Sequence, residues 1–87
     1  MDAVVTYDVS AKQAEVKADM AARGYMDRWT SGGTTYHLPY TTLWKQNVTV
    51  QQALADITAA AAAQRVRLER AVALALDPWA GIPGVAP

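Results

Sequence analysis

The sequence predicts an α+β fold in which two helices cover one face of an antiparallel sheet. Three observations support this: strand-like and helical segments alternate in the order β-α-β-β-α-β, cap and turn residues separate them, and the chain has only 87 residues. A chain of this length forms one domain. Each element follows from its own local signals.

The first two elements are a strand and a helix. Residues 3–9 (AVVTYDV) are mostly β-branched or aromatic, which is typical of a strand. Ser10 has the chemistry of a helix N-cap, and good helix formers fill residues 11–23. Gly24 is expected to end the helix, because glycine readily adopts the left-handed backbone conformation found after helix C-termini.

A β-hairpin is predicted in the middle of the chain. Residues 25–31 and 34–38 are strand-like, and the Gly-Gly pair between them can adopt positive φ at both turn positions. Pro39 has no amide proton. The second arm must therefore be interrupted there, lie at a sheet edge or carry a bulge before it continues through Trp44.

The last two elements are a second helix and a final strand. Thr49 and Gln52 form a capping-box pattern, which starts a helix that runs to about Gln64. Its predicted apolar stripe consists of Val50, Leu54, Ile57 and Ala61. The strand is predicted over residues 66–76, where the even-numbered residues form one apolar face that only Arg70 interrupts.

The order of elements is that of a ferredoxin-like fold over residues 1–76, with a four-stranded antiparallel sheet and two helices on one face. Apolar residues occur at both odd- and even-numbered positions of the strands, so both faces of the sheet are apolar and the helix-free face must also be buried. We expect the chain to form a homodimer through that face. The Pro/Gly-rich tail, residues 77–87, either frays or docks as an extended arm across the dimer.

Composition excludes several classes of protein. The chain has no cysteine, so it is neither a disulfide scaffold nor a thiolate zinc protein. Its apolar runs are too short for a membrane helix, and no signal-peptide pattern is present, so we expect a cytoplasmic protein without a membrane partner. A small domain without disulfides commonly gains burial by self-association, which again favours a homodimer.

The zero net charge conceals an uneven distribution. Residues 1–22 sum to −2 and residues 23–70 to +3, and five of the six cations in the latter segment are arginines. Aromatic residues lie between them, a combination suited to single-stranded or looped RNA. The candidate nucleic-acid-binding residues are Arg23, Arg28, Arg65 and Arg67. The alternative is that the arginines are solvated or ion-paired while the aromatic side chains fill a dimer core.

Asp8 is the main candidate for chemistry, because it interrupts an apolar strand near its end. Such a carboxylate is usually exposed, paired with a cation or bound to a metal. Two Asp8 side chains across a two-fold axis could together hold magnesium, or manganese in its place. Alternatively, Asp8 is partly exposed and helps to start the first helix. The lone His37 is a candidate for acid-base catalysis, although such a histidine is more often a surface or interface residue.

The segments VVTYDVS, LPYTTLWK and LERAVA, with a helix after the first and the second and the hairpin before LPYTTLWK, resemble the small ferredoxin-like nuclease superfamily. This group includes virulence-associated protein D toxins, CRISPR-associated adaptation endonucleases and stand-alone SinR-like relatives. The resemblance implies a homodimer through the open sheet faces and, in some members, magnesium-dependent cleavage of RNA or DNA. It implies that Asp8 binds the metal from both subunits and that Ser31 falls where members carry a polar residue. The neutral charge and the tail depart from the CRISPR-associated members.

Two functions follow as hypotheses. The first is a toxin-like, metal-dependent endoribonuclease or nucleic-acid-processing homodimer, with Asp8 and Ser31 as catalytic candidates. The second is a non-catalytic dimer that binds nucleic acid or a protein partner, such as a regulator or an antitoxin. Asp8 carboxylates that converge on a cavity favour the enzyme, whereas separated or ion-paired carboxylates favour the binding dimer.

Overall fold

The computed structural model describes residues 1–84 and has the predicted α+β class. Its elements are β1 (Ala3–Val9), α1 (Gln13–Ala22), β2 (Arg28–Ser31), β3 (Thr34–His37), β4 (Thr42–Lys45), α2 (Val50–Ala63) and β5 (Leu68–Ala75). Strands β4, β1 and β5 form a three-stranded antiparallel sheet in that order, and β2 pairs with β3 in a separate two-stranded sheet. The last three residues of the predicted tail lie outside the described part.

The start of α1 differs from the prediction. Ser10 is not its N-cap, because the Ser10 hydroxyl accepts a hydrogen bond from the Arg67 N–H instead (2.9 Å). The Ser10 N–H also donates to the Arg67 carbonyl, which continues the contact between β1 and β5. The helix begins after Lys12, which has a left-handed backbone (φ 55°) and makes no side-chain cap. It ends as predicted before Gly24, whose φ is 96°.

The hairpin has the predicted turn, but its second arm is interrupted after His37. Gly32 and Gly33 both have positive φ, 57° and 80°. The chain then turns at Pro39, whose carbonyl accepts from the Thr42 N–H, and resumes as β4 beside β1 rather than beside β2. One isolated bridge, Met26 to Trp44, connects the hairpin to the three-stranded sheet. The predicted strand over 25–31 is therefore split into this bridge and β2.

Helix α2 has the predicted N-terminus and a partly different buried face. The Thr49 side chain accepts from the Gln52 N–H at 3.0 Å, as expected of a capping box. Leu54 is 39% exposed, which contradicts the predicted stripe. The buried positions are Ala53, Ile57, Ala60 and Ala61. Small side chains on this face allow the helix to approach the sheet closely.

Strand β5 carries a β-bulge that reverses its faces. Val9 pairs with Leu68 and Asp8 pairs with Arg70, so Glu69 is the extra residue. Beyond the bulge, Ala71 and Ala73 pack against the core. Val72 and Leu74 face away from the helices and are 53% and 57% exposed. The prediction of one continuous even-numbered apolar face is wrong, because one inserted residue switches the side-chain alternation.

The hydrophobic core lies between the two helices and the three-stranded sheet. Its largest fully buried side chains are Met20, Leu43, Ile57, Val5 and Val16. The opposite side of this sheet, termed the outer face, is formed by alternate residues of its strands: Val4, Thr6, Asp8, Thr42, Trp44, Arg70, Val72 and Leu74. Over residues 1–84, neither helix is both long and apolar enough to cross a membrane.

The described part of the tail, residues 77–84, docks on the hairpin of its own chain. The ring of Trp79 lies 4.9 Å from the rings of both Trp29 and Tyr36. The His37 N–H donates to the Pro83 carbonyl at 3.0 Å. The tail starts after β5, at one edge of the sheet, and reaches the hairpin beyond β4, at the other edge.

Candidate nucleic-acid interface

Asp8 lies near the end of β1, on the outer face, and forms an ion pair with Arg70 from the neighbouring strand. The Arg70 Nη1 and the Asp8 Oδ2 are 3.3 Å apart, and the side chains are 72% and 48% exposed. The pair arises because the bulge places these two residues directly opposite each other. An ion pair this exposed contributes only about 0–1 kcal/mol to folding. A charged ligand can therefore replace either partner with little loss of stability.

Two further arginines precede Arg70 in the chain, between α2 and β5. Arg65 is exposed in the connection after α2, with a left-handed φ of 57°. Arg67 is tied by its main chain to Ser10 at the end of β1, while its guanidinium lies 3.2 Å from Glu69 and is 75% exposed. We call this surface the arginine end of the sheet, formed by Arg65, Arg67 and Arg70 with Asp8 and Glu69. This set contains three guanidinium groups and two carboxylates, which leaves one positive charge in excess.

A small cavity adjoins the ion pair. It has a volume of about 170 Å³ and is lined by Thr6, Tyr7, Asp8, Arg70, Ala71 and Val72. Burial, together with the nearby Tyr40, raises the pKa of Tyr7 to about 12. The phenol therefore stays protonated at neutral pH and cannot serve as a base. The polar groups available at this surface are guanidinium donors and one carboxylate. The guanidinium groups suit an anion such as a phosphodiester.

Arg23 and Arg28 lie away from this surface, each in an ion pair. Arg23 is the C-cap residue of α1, and its Nε lies 2.7 Å from Asp19. Arg28 lies on β2 with its Nε 2.8 Å from Asp27. The hydrogen bond from Arg28, with a further contribution from Lys17 at 3.1 Å, lowers the pKa of Asp27 to about 2. Both arginines thus have a local carboxylate partner before any ligand arrives.

Ser31 and His37 belong to the hairpin and not to the sheet that carries Asp8. Ser31 is exposed at the hairpin tip, paired with Thr34, and within residues 1–84 no hydrogen bond joins it to Asp8. His37 is partly buried and lines a cavity of about 380 Å³ together with Lys17 and Asp27. The structure therefore does not bring these two predicted residues into contact with Asp8.

The described residues offer little for a metal ion. Within residues 1–84, no cluster of three or more His, Asp or Glu side chains is close enough to hold one. At Asp8 the neighbouring charge is the Arg70 guanidinium, which repels a divalent cation. The residues of one chain do not fit a magnesium site at this position without a second carboxylate.

Four aromatic side chains form a cluster between the hairpin, the sheet and the tail. This aromatic cluster consists of Trp29, Tyr36, Trp44 and Trp79. The Trp44 Nε1 donates to the Arg28 carbonyl at 2.6 Å. The Trp29 Nε1 is buried and has no hydrogen-bond acceptor within the described part of the chain. The sequence signal was the spacing of aromatic residues among the cations, but Trp79 could not be assigned to the cluster because it is distant in the chain.

No known protein family, curated protein or solved structure matches this chain. Its function must therefore be inferred from its own residues.

Proposed function

We propose that the protein is a homodimer that binds single-stranded nucleic acid through the arginine end of its sheet. The observation that carries this proposal is that three exposed arginines of a neutral chain lie close together in sequence, in the connection before β5 and at the start of that strand. Guanidinium groups bind phosphate through paired hydrogen bonds and stack on unpaired bases. Arg70 and Arg67 are held only in exposed ion pairs with Asp8 and Glu69, and phosphates can replace these carboxylates.

The ion-paired state of Asp8 favours binding over catalysis. A carboxylate that acts as a metal ligand needs its oxygens free for the ion, whereas Asp8 interacts with Arg70 in its own subunit. In a binding module the same pair keeps Arg70 extended on the outer face until a phosphate arrives. Asp8 then acts as a positioning residue for Arg70 and does not contact the reacting atoms of a substrate.

The dimer in this proposal forms through the exposed part of the outer face. Val72 and Leu74, more than half exposed, neighbour Thr6 and Val4 on β1 and form a small apolar patch. A second copy of the same patch would cover it around a two-fold axis. Such a dimer carries two arginine ends, which doubles the charge presented to one strand of nucleic acid.

We also propose the ferredoxin-like arrangement as the underlying topology. The order β4-β1-β5 agrees with it, and the Met26–Trp44 bridge lies at the β4 edge, where the fourth strand belongs. In this arrangement the hairpin is the outer part of a fourth strand that leaves the sheet after Met26. The departure of the hairpin allows the tail to dock against it.

Fluorescence anisotropy with a labelled 20-nucleotide RNA tests the proposal. The wild-type chain should bind unpaired RNA more tightly than a matched duplex, and binding should weaken as salt increases. The triple variant Arg65→Gln, Arg67→Gln, Arg70→Gln should lose most of this affinity. Arg23→Gln is the matched control, because Arg23 lies at the other end of α1 from the arginine end. Absence of binding at low salt would refute nucleic-acid binding and would favour a protein partner instead.

A second candidate function is magnesium-dependent cleavage of the same nucleic acid. The half exposure of Asp8 on the face proposed for dimerisation favours it, because a two-fold axis near Asp8 would supply the second carboxylate. When bound, the metal would supply an activated water and would neutralise charge on the scissile phosphate. Incubation of an RNA pool with magnesium, with and without EDTA, tests this. Cleavage by the wild type that Asp8→Asn abolishes would establish an enzyme, and no cleavage would reject one.

A further inference from the structure

The ring of Trp79 packs onto Trp29 and Tyr36, which are paired directly across the hairpin, and we call the space that this ring fills the cleft. Its centroid lies 4.9 Å from both Trp29 and Tyr36, with interplanar angles of 72° and 78°. Trp29 packs in turn against Trp44, at 5.7 Å and 85°. All of these contacts are edge-to-face. The cleft thus holds a flat aromatic group, which in the described structure is a side chain from the tail of the same chain.

Trp29, one of the two residues that form the cleft, carries a buried polar group that the present occupant does not satisfy. The Trp29 Nε1 is buried and finds no acceptor within residues 1–84. An indole has a donor but no acceptor, so neither Trp44 nor Trp79, which pack against this ring, can accept its hydrogen bond. Trp44 itself, in the same cluster, does donate its N–H to a carbonyl. A buried donor without a partner costs free energy that an occupant with an acceptor would recover.

The part of the tail that the structure describes, residues 77–84, makes few contacts with the hairpin outside this one ring. Residues 77–84 are exposed, Ile82 is 88% exposed, and the main-chain link to the hairpin is the bond from His37 to Pro83. At Gly81 a Cβ atom would lie 3.2 Å from the Tyr36 ring and 3.3 Å from the Trp79 ring. The docked path of the tail thus depends on one aromatic anchor and on one residue without a side chain. Among residues 77–84, a ligand that competes for the cleft has few other contacts to displace.

We propose that the cleft between Trp29 and Tyr36 is a nucleobase-binding site that Trp79 closes in the free protein. The proposal rests on the function proposed above and deepens it, since it adds base contacts to the phosphate contacts of the arginine end. A nucleobase has the flat aromatic ring that the cleft holds, and its carbonyl or ring nitrogen supplies the acceptor that the indole of Trp79 lacks. The ligand class is an unpaired base, because the bases of a duplex are stacked and paired.

Indole N–H resonances in a ¹⁵N–¹H correlation spectrum test this on the full chain. The protein has three tryptophans, so Trp29→Phe identifies the signal of Trp29. In the Trp79→Ala variant, titration with uridine 5′-monophosphate should move the Trp29 indole signal downfield with saturation, and the Trp44 signal should move less. The wild type should respond only at higher nucleotide concentration. An unmoved Trp29 signal in folded Trp79→Ala overturns the proposal.

A second variant keeps the test valid if loss of Trp79 impairs folding. Gly81→Val retains every aromatic residue and is expected to weaken the docking of the tail, because its Cβ would lie 3.2 Å from the Tyr36 ring and the valine methyl groups add further bulk beyond it. It should give the same response of Trp29 to the nucleotide. The absence of that response in Gly81→Val also overturns the proposal.

Oligonucleotide affinity separates this inference from the function on which it rests. Trp79→Ala should bind an unpaired uridine-rich 12-mer at least about fivefold more tightly than the wild type, the lower limit for one stacked base. Binding of a duplex should not change, and adding Tyr36→Ala should remove the gain. Equal affinities of wild type and Trp79→Ala refute the base site but leave the arginine end intact. An indole response without any oligonucleotide binding refutes the arginine end and retains the base site.

Discussion

Substitution of single arginines should change the salt dependence of nucleic-acid binding by a predictable amount. The arginine end presents three guanidinium groups per subunit, of which two are paired only with exposed carboxylates. Each contact to a phosphate of a single strand contributes about −0.7 to the slope of log K against log salt, so three contacts give about −2. The affinity of one subunit should then fall about 20-fold between 50 and 200 mM salt. With two subunits engaged the slope should be about −4.

The assay is fluorescence anisotropy with one labelled RNA at a series of potassium chloride concentrations. Arg67→Gln should reduce the slope by about 0.7 per subunit, so the same change in salt weakens binding only about sevenfold. Arg23→Gln should leave the slope unchanged. A wild-type slope near zero would refute the phosphate contacts. An equal loss of slope in Arg23→Gln and Arg67→Gln would show that the charge acts without regard to position, which contradicts a local site.

Three further predictions concern stability and association. Tyr25→Phe should lower the free energy of unfolding by about 1–2 kcal/mol in urea titrations, because it removes the hydrogen bond to Asp56 (2.7 Å). Burial and this hydrogen bond raise the pKa of Tyr25, so the stability that its phenol contributes is complete below about pH 10 and should be lost as the pH rises further. Tyr25→Phe should not show this loss of stability at high pH. The hydrogen bond from Arg28 lowers the pKa of Asp27 to about 2, so the stability that this carboxylate contributes should be complete above about pH 4 and be lost as the pH falls towards 2. In Asp27→Asn, the melting temperature should therefore change less with pH over that window. Leu74→Glu should dissociate the proposed dimer in light-scattering measurements of mass, whereas Leu54→Glu, at an exposed leucine of α2, should not; dissociation by both, or by neither, contradicts the proposed outer-face dimer.

Features that depend on neighbouring residues could be predicted from the sequence. The Gly32-Gly33 turn requires only that two adjacent residues tolerate positive φ, and both do so. The Thr49 cap requires an oxygen three residues before an amide, which is also local. Ser10 has the same local chemistry as Thr49, but a main-chain partner 57 residues away takes its hydroxyl. Competition from a distant residue cannot be read from the pattern around a cap.

The candidate site was predictable in part. Asp8 and Arg70 each stand out because each interrupts an apolar strand, yet only the register of β1 against β5 brings them together. That register depends on the bulge at Glu69, and the sequence around Glu69 has no glycine or proline to mark it. Likewise, Trp79 is a conspicuous residue in the tail, but its place between Trp29 and Tyr36 depends on where the hairpin leaves the sheet.

The bulge in β5 divides one short segment between two tasks. Residues 71–75 alternate small and large side chains, and the extra residue turns the small ones towards α2 and the large ones towards solvent. The helix can therefore lie close to the sheet, while the bulkier groups stay free for contact with another molecule. A change in the length of the strand by a single residue would turn the large side chains towards α2 and the small ones towards solvent, although no side chain would be altered. Insertions and deletions near Glu69 are thus a route by which relatives of this chain could gain or lose an association surface in one step.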